Sequence, residues 1–343
     1  MNIKCNFLPL HRNHSHPRTQ KLLERLAGKY NLDLVSLNID STLKDLSTKV
    51  TILRMTDQNW QLIIDIPKTI NDMGSNPKRI FNCYSFWLPY CIEIANKLGY
   101  SYSLALNASD WGTANFLSMT SHDIDNIIPD EYSMFESKAL NRHNSFLAYD
   151  DFKYQWSQRK SVMFWRGSTT GLPIKSINSL NDLQRIKSCL IYRNRLGFDM
   201  KITNIVQNEI PKQIIRQWLI SNRIFARKIN EDTFKKYKYY PDLPGNNQSC
   251  GSWGAIKKYL RGNLVFKPNH LSKMYYDRFL EPWKHYVPIN SDFMDLDEKF
   301  LWAQNNTDKA CLISWRGSCV AKDYLSKIKD HFIKASIPKL VRV

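Results

Sequence analysis

The sequence predicts an α/β chain folded as two sheet-centred domains, and three observations carry that prediction. Apolar runs of strand length alternate with helix-period segments along most of the chain. Several of the strands run straight into short polar segments, which is where parallel sheets keep their chemistry. At 343 residues the chain is long for a single core and comfortable for two. Such alternation predicts a mostly parallel sheet with helices on both faces.

The elements follow in order. Residues 60–66 form an apolar strand stopped by Pro67, and residues 86–98 have helical spacing ending at Gly99, a fitting cap. Residues 103–106 form a strand running into Asn107-Ala108-Ser109-Asp110-Trp111. Residues 162–165 form another, running into Arg166-Gly167-Ser168-Thr169-Thr170-Gly171. A helix over 180–196 capped by Gly197, a strand over 198–206 and a helix over 214–221 come next. Residues 238–240 make a strand, 241–245 a Pro/Gly turn and 246–254 a polar loop spaced by glycines. A short basic helix to Arg261 and an apolar strand at 264–266 complete that stretch, and residues 309–336 look like one long C-terminal helix. Residues 130–160 lack a clean period and mark the junction. The expected divisions are 1–150, 151–325 and a C-terminal helix and tail over 326–343.

Composition narrows the class. With 43% hydrophobic residues, disorder over most of the chain is excluded. Lys+Arg 49 against Asp+Glu 31 gives a net charge of +18, which favours polyanionic partners without choosing among them. Seven scattered cysteines without a CxxC pair argue against a disulfide framework or a zinc site and for a reducing compartment. No stretch has a signal peptide's apolar core or the length to span a bilayer. The expectation is a cytoplasmic protein, free or bound at the inner membrane face. His11, His14 and His16 read as part of a solvated basic segment rather than a metal tract.

Two motifs carry chemistry. Arg166, followed by Gly167 and the hydroxyls of Ser168, Thr169 and Thr170, can fork onto a phosphate or cap its own turn, and the residues alone leave both readings open. The Trp165–Ser168 tetrapeptide is echoed at 315–318 without flanking similarity, which reads as coincidence. The glycine-spaced loop before a helix can turn backbone N–H groups toward an anion. Asp110 alone reads most simply as the cap of the next turn.

Phe-Trp-Arg-Gly-Ser at 164–168, Lys-Tyr-Lys-Tyr before a Gly-Asn turn, then Ser-Trp, Gly-Asn-Leu-Val-Phe-Lys and Pro-Trp-Lys-His-Tyr-Val-Pro-Ile-Asn-Ser-Asp follow one another in this order. In motif and spacing the set resembles the CAP10-like glycosyltransferases. The similarity covers residues 100–325 and is densest over 236–300. It implies a GT-B fold, two Rossmann-like domains facing across a cleft, and an inverting, metal-independent transfer from a UDP-sugar, with no further cofactor. It places the general base at Asp110, followed by Trp111, within the family's Asn-x-x-Asp-aromatic motif. It places the donor diphosphate at Arg166, Ser168 and Thr169 and at the loop Gly251, Ser252, Trp253 and Gly254, with Lys257 and Lys258 one turn further on. Tyr240, Asp242 and Asn246 fall where the donor loop runs, and Asp125 matches an Asp thought to orient acceptor or sugar. Relatives carry Arg where this chain has Gly254, and an acidic residue near Met274.

The expected function is therefore sugar transfer to a hydroxyl of a bacterial surface glycan such as a lipopolysaccharide core. Expected partners are the UDP-sugar, a glycan or glycolipid acceptor and an anionic membrane surface. A basic nucleic-acid-binding protein and a sugar-binding member of the fold without turnover are the rival readings.

Overall fold

Residues 55–59 are too few to carry a crossover helix, so the strands they join can pair only antiparallel. That local constraint shapes the first of two units in the computed structural model. The structure describes residues 4–7, 32–43, 47–55, 60–67, 77–109, 116–140, 148–246, 251–252 and 254–343. Unit 1 comprises residues 1–134 with 327–343, and unit 2 residues 135–326.

Unit 1 is built on strands β1 (Lys4–Phe7), β2 (Leu32–Asp40), β3 (Ser47–Arg54), β4 (Trp60–Pro67) and β5 (Tyr102–Asn107), in the order β1-β2-β4-β3-β5. β1, β2 and β4 are parallel, whereas β3 runs antiparallel to both β4 and β5. The expectation of a mostly parallel sheet is thus corrected here: this sheet is mixed, and the short β3–β4 connection is the reason. β5 also pairs with β6 (Leu117–Ser118) and, antiparallel, with Val341–Arg342. Helix α1 (Pro77–Leu98) buries Trp87, Leu88, Cys91, Ile92 and Ala95, an i, i+3, i+4 stripe. It stops at Gly99, whose φ of +68° only glycine adopts without strain.

Unit 2 holds five strands, all parallel: β7 (Lys160–Ser168), β8 (Phe198–Asn204), β9 (Tyr237–Pro241), β10 (Leu264–Pro268) and β11 (Val287–Ile289). Their order is β11-β10-β9-β7-β8. Counted along the unit, that is the doubly wound 2-1-3-4-5 arrangement. The expected helix over 180–196 is shorter, a 3-10 turn (Asn178–Asp182) followed by α2 (Gln184–Tyr192). Helices α3 (Lys212–Ser221) and α4 (Ala255–Leu260) also lie between strands. The core is aromatic: Phe164 stacks on Tyr237 at 3.7 Å, and Tyr239 meets Trp156, Phe266 and Phe300 edge-on. Each such ring stabilises the unit by roughly 2–3 kcal/mol through burial.

The expected single C-terminal helix is two. α5 (Thr307–Ser326) belongs to unit 2 and α6 (Ile328–Ser336) to unit 1, with Lys327 between them out of helical conformation. In unit 1, Phe332 meets Tyr90 at 5.5 Å and Lys329 pairs with Glu93 at 3.0 Å, so the segment beyond 326 is packed structure. The echoed tetrapeptide shares composition and not conformation. Trp165–Ser168 lies on β7, whereas residues 315–318 lie within α5. There Gly317 is required by crowding, since a Cβ would stand 2.6 Å from the His285 carbonyl oxygen.

Candidate functional site

In a 2-1-3-4-5 sheet the chain winds away in opposite directions from its first and third strands, which leaves a crevice beyond their carboxyl ends. In unit 2 these strands are β7 and β9, and the loops leaving them are residues 168–171 and 242–246. Arg185, on the first turn of α2, ties the two loops together. Its Nε donates to the Pro244 carbonyl at 2.7 Å, its Nη1 to the Ser168 carbonyl at 3.3 Å and its Nη2 to the Leu243 carbonyl at 3.3 Å. Among the described residues no carboxylate lies within ion-pair distance of it, and desolvation pushes its pKa down. Ser168 and Thr170 share a short hydroxyl–hydroxyl bond beside it. Asn246 accepts from Gln207 Nε2 at 2.7 Å, and Gln207 Oε1 accepts the Gly171 N–H at 2.9 Å. Ser168, Thr170, Arg185, Gln207 and Asn246 therefore converge. Arg185 and Gln207 were not among the sequence candidates, because an Arg early in a helix and a lone loop Gln carry no pattern.

The Phe-Trp-Arg-Gly-Ser motif divides between the two faces of β7. Arg166 lies over the Phe164 ring at 4.2 Å and engages Asp199, through the carbonyl at 2.7 Å and Oδ2 at 2.6 Å. It thereby ties β7 to the neighbouring β8, a contact that neither of its sequence readings named. Gly167 is required because the Trp165 ring folds over it, 2.4 Å from where a Cβ would stand. Thr169 is buried, with its hydroxyl donating to the Val206 carbonyl and accepting the Val206 N–H, each at 2.9 Å. It fastens the loop after β7 to the segment after β8.

The residues after β9 support the next loop from beneath. Asp242 is fully buried and accepts the Ser252 N–H at 2.8 Å through Oδ1. Its Oδ2 lies 3.6 Å from Lys267 Nζ, which lies 3.2 Å from Asp277 Oδ1, and Asp277 Oδ2 accepts the Met274 N–H at 2.9 Å. Burial alone would lower the Lys267 pKa; the carboxylates of Asp277 and Asp242 reverse that and hold it raised. Gly251 lies so close over this group that a Cβ would stand 2.3 Å from Asp242 Oδ2. Tyr240 is buried with its hydroxyl 3.3 Å from Ser252 Oγ. Tyr240 and Asp242 thus hold the loop, and the Ser252 N–H expected to meet an anion is engaged by Asp242. Asp277, three residues after Met274, is bound to Lys267.

Both candidate lysines are paired. Lys257 meets Glu136 at 2.9 Å. Lys258 is buried against Glu231 and the Phe234 ring, and burial pushes its pKa down to about 8. Around Gly254 a Cβ would meet nothing within 4 Å, so the side chain missing there leaves open space. Trp253 lies outside the described residues.

In unit 1 the strand end that precedes the candidate base is well defined. Asn107 donates to Ser47 Oγ at 3.1 Å and accepts the Ser109 N–H at 2.6 Å, an Asx turn that sets the chain's exit from β5. Asp110 and Trp111 themselves lie outside the described residues. Asp125 sits exposed on a 3-10 turn, Ile124–Asn126, its N–H donated to Asp123 Oδ1 at 3.0 Å. Beside it a cavity of about 250 Å³ is lined by Ala105, Phe116, Leu117, Asn126 and Lys339. Among the described residues no group of three or more His, Cys, Asp or Glu could hold a metal ion.

The family described as glycosyl transferase family 90 matches residues 136–330, nearly the whole of unit 2. The chain belongs to this family. It is 27% identical over 198 residues to "Uncharacterized protein 179R" of Invertebrate iridescent virus 6, covering 52% of this chain and 16% of that protein. It is 38% identical over 95 residues to human "Protein O-glucosyltransferase 3", covering 27% of this chain and 18% of that protein. With human "Protein O-glucosyltransferase 1" it is 24% identical over 180 residues, covering 50% of this chain and 39% of that protein. The matches thus span well under half of each relative's own length. Among solved structures, the C-terminal domain of a glycosyl transferase group 1 family protein from Francisella tularensis overlaps 52% of this chain and 94% of its own, at 9% identity and a TM-score of 0.31.

Proposed function

We propose that the chain transfers a sugar from a nucleotide diphospho-sugar, UDP-linked in the reading the family resemblance supports, to an acceptor hydroxyl. The observation that carries this is the meeting of Ser168, Arg185 and Asn246 at the switch point of the parallel sheet in the family-matched unit. Arg185 supplies the positive charge and Ser168 and Thr170 the hydroxyl donors for the diphosphate, a role the sequence had given to Arg166. Asp110 takes the proton from the acceptor hydroxyl. The freed oxygen bonds to the anomeric carbon from the face opposite UDP, the carbon–oxygen bond to UDP breaks, and configuration inverts. Positioned base help of this kind is worth roughly 10²–10⁴-fold. The GT-B architecture and the independence from metal come with the same resemblance.

The acceptor is a hydroxyl on a larger molecule. A bacterial surface glycan is one candidate, and a protein side chain, which the names of the animal relatives favour, is the other. Buried cysteines outside any disulfide, Cys91, Cys189 and Cys311 among them, support a reducing, cytoplasmic setting. Incubating the full chain with a panel of UDP-sugars, with and without EDTA, and following UDP release tests the proposal. Turnover that survives EDTA and disappears in Asp110→Asn is expected. UDP binding without release for any sugar would favour the rival reading, a binding protein without turnover, which the open space at Gly254 motivates.

A further inference from the structure

Unit 2 carries a surface that neither the donor site nor the core uses. Between residues 186 and 228 the chain has nine Lys and Arg against two acids, Asp199 and Glu209, a far steeper imbalance than 49 to 31 overall. Asp199 is already paired with Arg166. The imbalance is gathered in space at the edge strand β8. Arg193 Nη1 donates to Asn222 Oδ1 at 3.0 Å, which brings the turn after α2 beside the end of α3. Lys201 on β8 donates to the Arg223 carbonyl in the same place. Arg195 is partly balanced by Asp297 at 3.3 Å, while Arg193, Arg216 and Arg223 are exposed without a carboxylate partner among the described residues.

The same surface exposes aliphatic side chains. Leu196, at the tip of the turn between Arg195 and Gly197, is 99% exposed, and Ile220, on the last turn of α3, is 53% exposed. Ile214 on α3 is 47% exposed. Single exposed aliphatics need no explanation. Aliphatic tips set among unpaired guanidinium groups fit a partner that is both anionic and apolar just beneath its surface. Nucleic acid would satisfy the charge and leave Leu196 and Ile220 in water.

We propose that this surface docks unit 2 onto an anionic lipid bilayer, with Leu196 and Ile220 entering the headgroup region and Arg193, Arg216 and Arg223 meeting lipid phosphates and carboxylates. The contact is peripheral, since no described helix is long and apolar enough to cross a membrane. The turn bearing Leu196 precedes β8, at the amino ends of the parallel strands. The loops holding Ser168, Arg185 and Asn246 are at the carboxyl ends, so docking leaves the crevice open. The proposal does not depend on the reading of that crevice.

Cosedimentation of the full chain with vesicles tests it directly. Vesicles of phosphatidylcholine with roughly 30 mol% phosphatidylserine should retain the protein at low salt and release it as salt rises, while pure phosphatidylcholine should retain little. Leu196→Asp with Ile220→Asp, and separately Arg193→Glu with Arg223→Glu, should each weaken retention by about tenfold or more. Lys309→Glu, on the helix packed against β10, should leave retention unchanged. All these side chains are exposed, so melting temperatures should stay within about 2 °C of the parent. Equal retention of parent and both double variants would overturn the proposal, as would binding to a duplex oligonucleotide but not to the anionic vesicles.

Discussion

The buried carboxylate of Asp242 receives the backbone N–H of Ser252 at 2.8 Å, and this bond anchors Ser252 beside the end of β9. Lys267 on one side and Gly251 above leave that carboxylate no other place to go. Asp242→Asn keeps an acceptor for Ser252 but takes one of the two carboxylates from Lys267. Breaking a buried pair costs about 3–5 kcal/mol. Thermal or urea denaturation should show a loss of that order, and the KM for the sugar donor should rise about tenfold as the loop loosens. An unchanged melting temperature would mean that Asp242 does not hold the loop.

Gly251→Ala tests the same contact from the other side. Its new methyl would stand 2.3 Å from Asp242 Oδ2 and 3.1 Å from Lys267 Nζ, so the loop backbone must lift. Titration with UDP should show affinity about tenfold weaker, with a smaller loss of stability than in Asp242→Asn because the charges remain paired.

Arg166 and Arg185 should separate cleanly. Arg166→Ala removes hydrogen bonds to Asp199 and should destabilise the chain by about 1–3 kcal/mol while leaving the UDP dissociation constant within about twofold. Arg185→Lys keeps a charge but cannot reach Ser168, Leu243 and Pro244 together. Calorimetric titration should show UDP affinity reduced about tenfold in that variant. The opposite pattern would return the diphosphate to Arg166.

His270 gives stability an acid limb. Burial, reinforced by the charge of Lys267, pushes its imidazole down from 6.5 to about 3. The unfolded chain therefore binds a proton at His270 between those values and the folded chain does not, so stability falls as pH drops from about 6.5 toward 3. The slope from this group is at most about 1.4 kcal/mol per pH unit. Denaturation midpoints of His270→Gln and the parent, measured from pH 7 to pH 4, should converge in slope only if another group carries the effect.

Much of the fold was legible from local pattern. The strands before Asn107 and Ser168, the stop at Gly99 and the loop after Pro241 follow from side-chain period and the φ freedom of glycine, which short-range sequence states directly. The antiparallel course of β3 was missed because no strand was read over residues 47–54, so the short connection to β4 was never weighed. The break at Lys327 was missed because an amphipathic period continues across it.

Of the candidate site, the residue types at the strand ends were legible and their pairing was not. Sequence placed hydroxyls and glycines at strand ends, and the Ser168 and Asn246 loops do meet there. It could not tell that Arg166 meets Asp199 while Arg185 ties the two loops together, since the two are equally charged on paper. Lys257 and Lys258 likewise looked free until Glu136 and Glu231 appeared beside them.

By itself the sequence determined that this is a two-unit α/β chain of a sugar-transferring family, rich in positive charge, because period, glycine placement and motif order are properties of the chain in one dimension. The tertiary structure decided which charges are paired, which hydroxyls fasten loops and which surface stays basic and bare. Those outcomes depend on distances between residues far apart in sequence, where a carboxylate within 3 to 4 Å turns a would-be ligand into a brace.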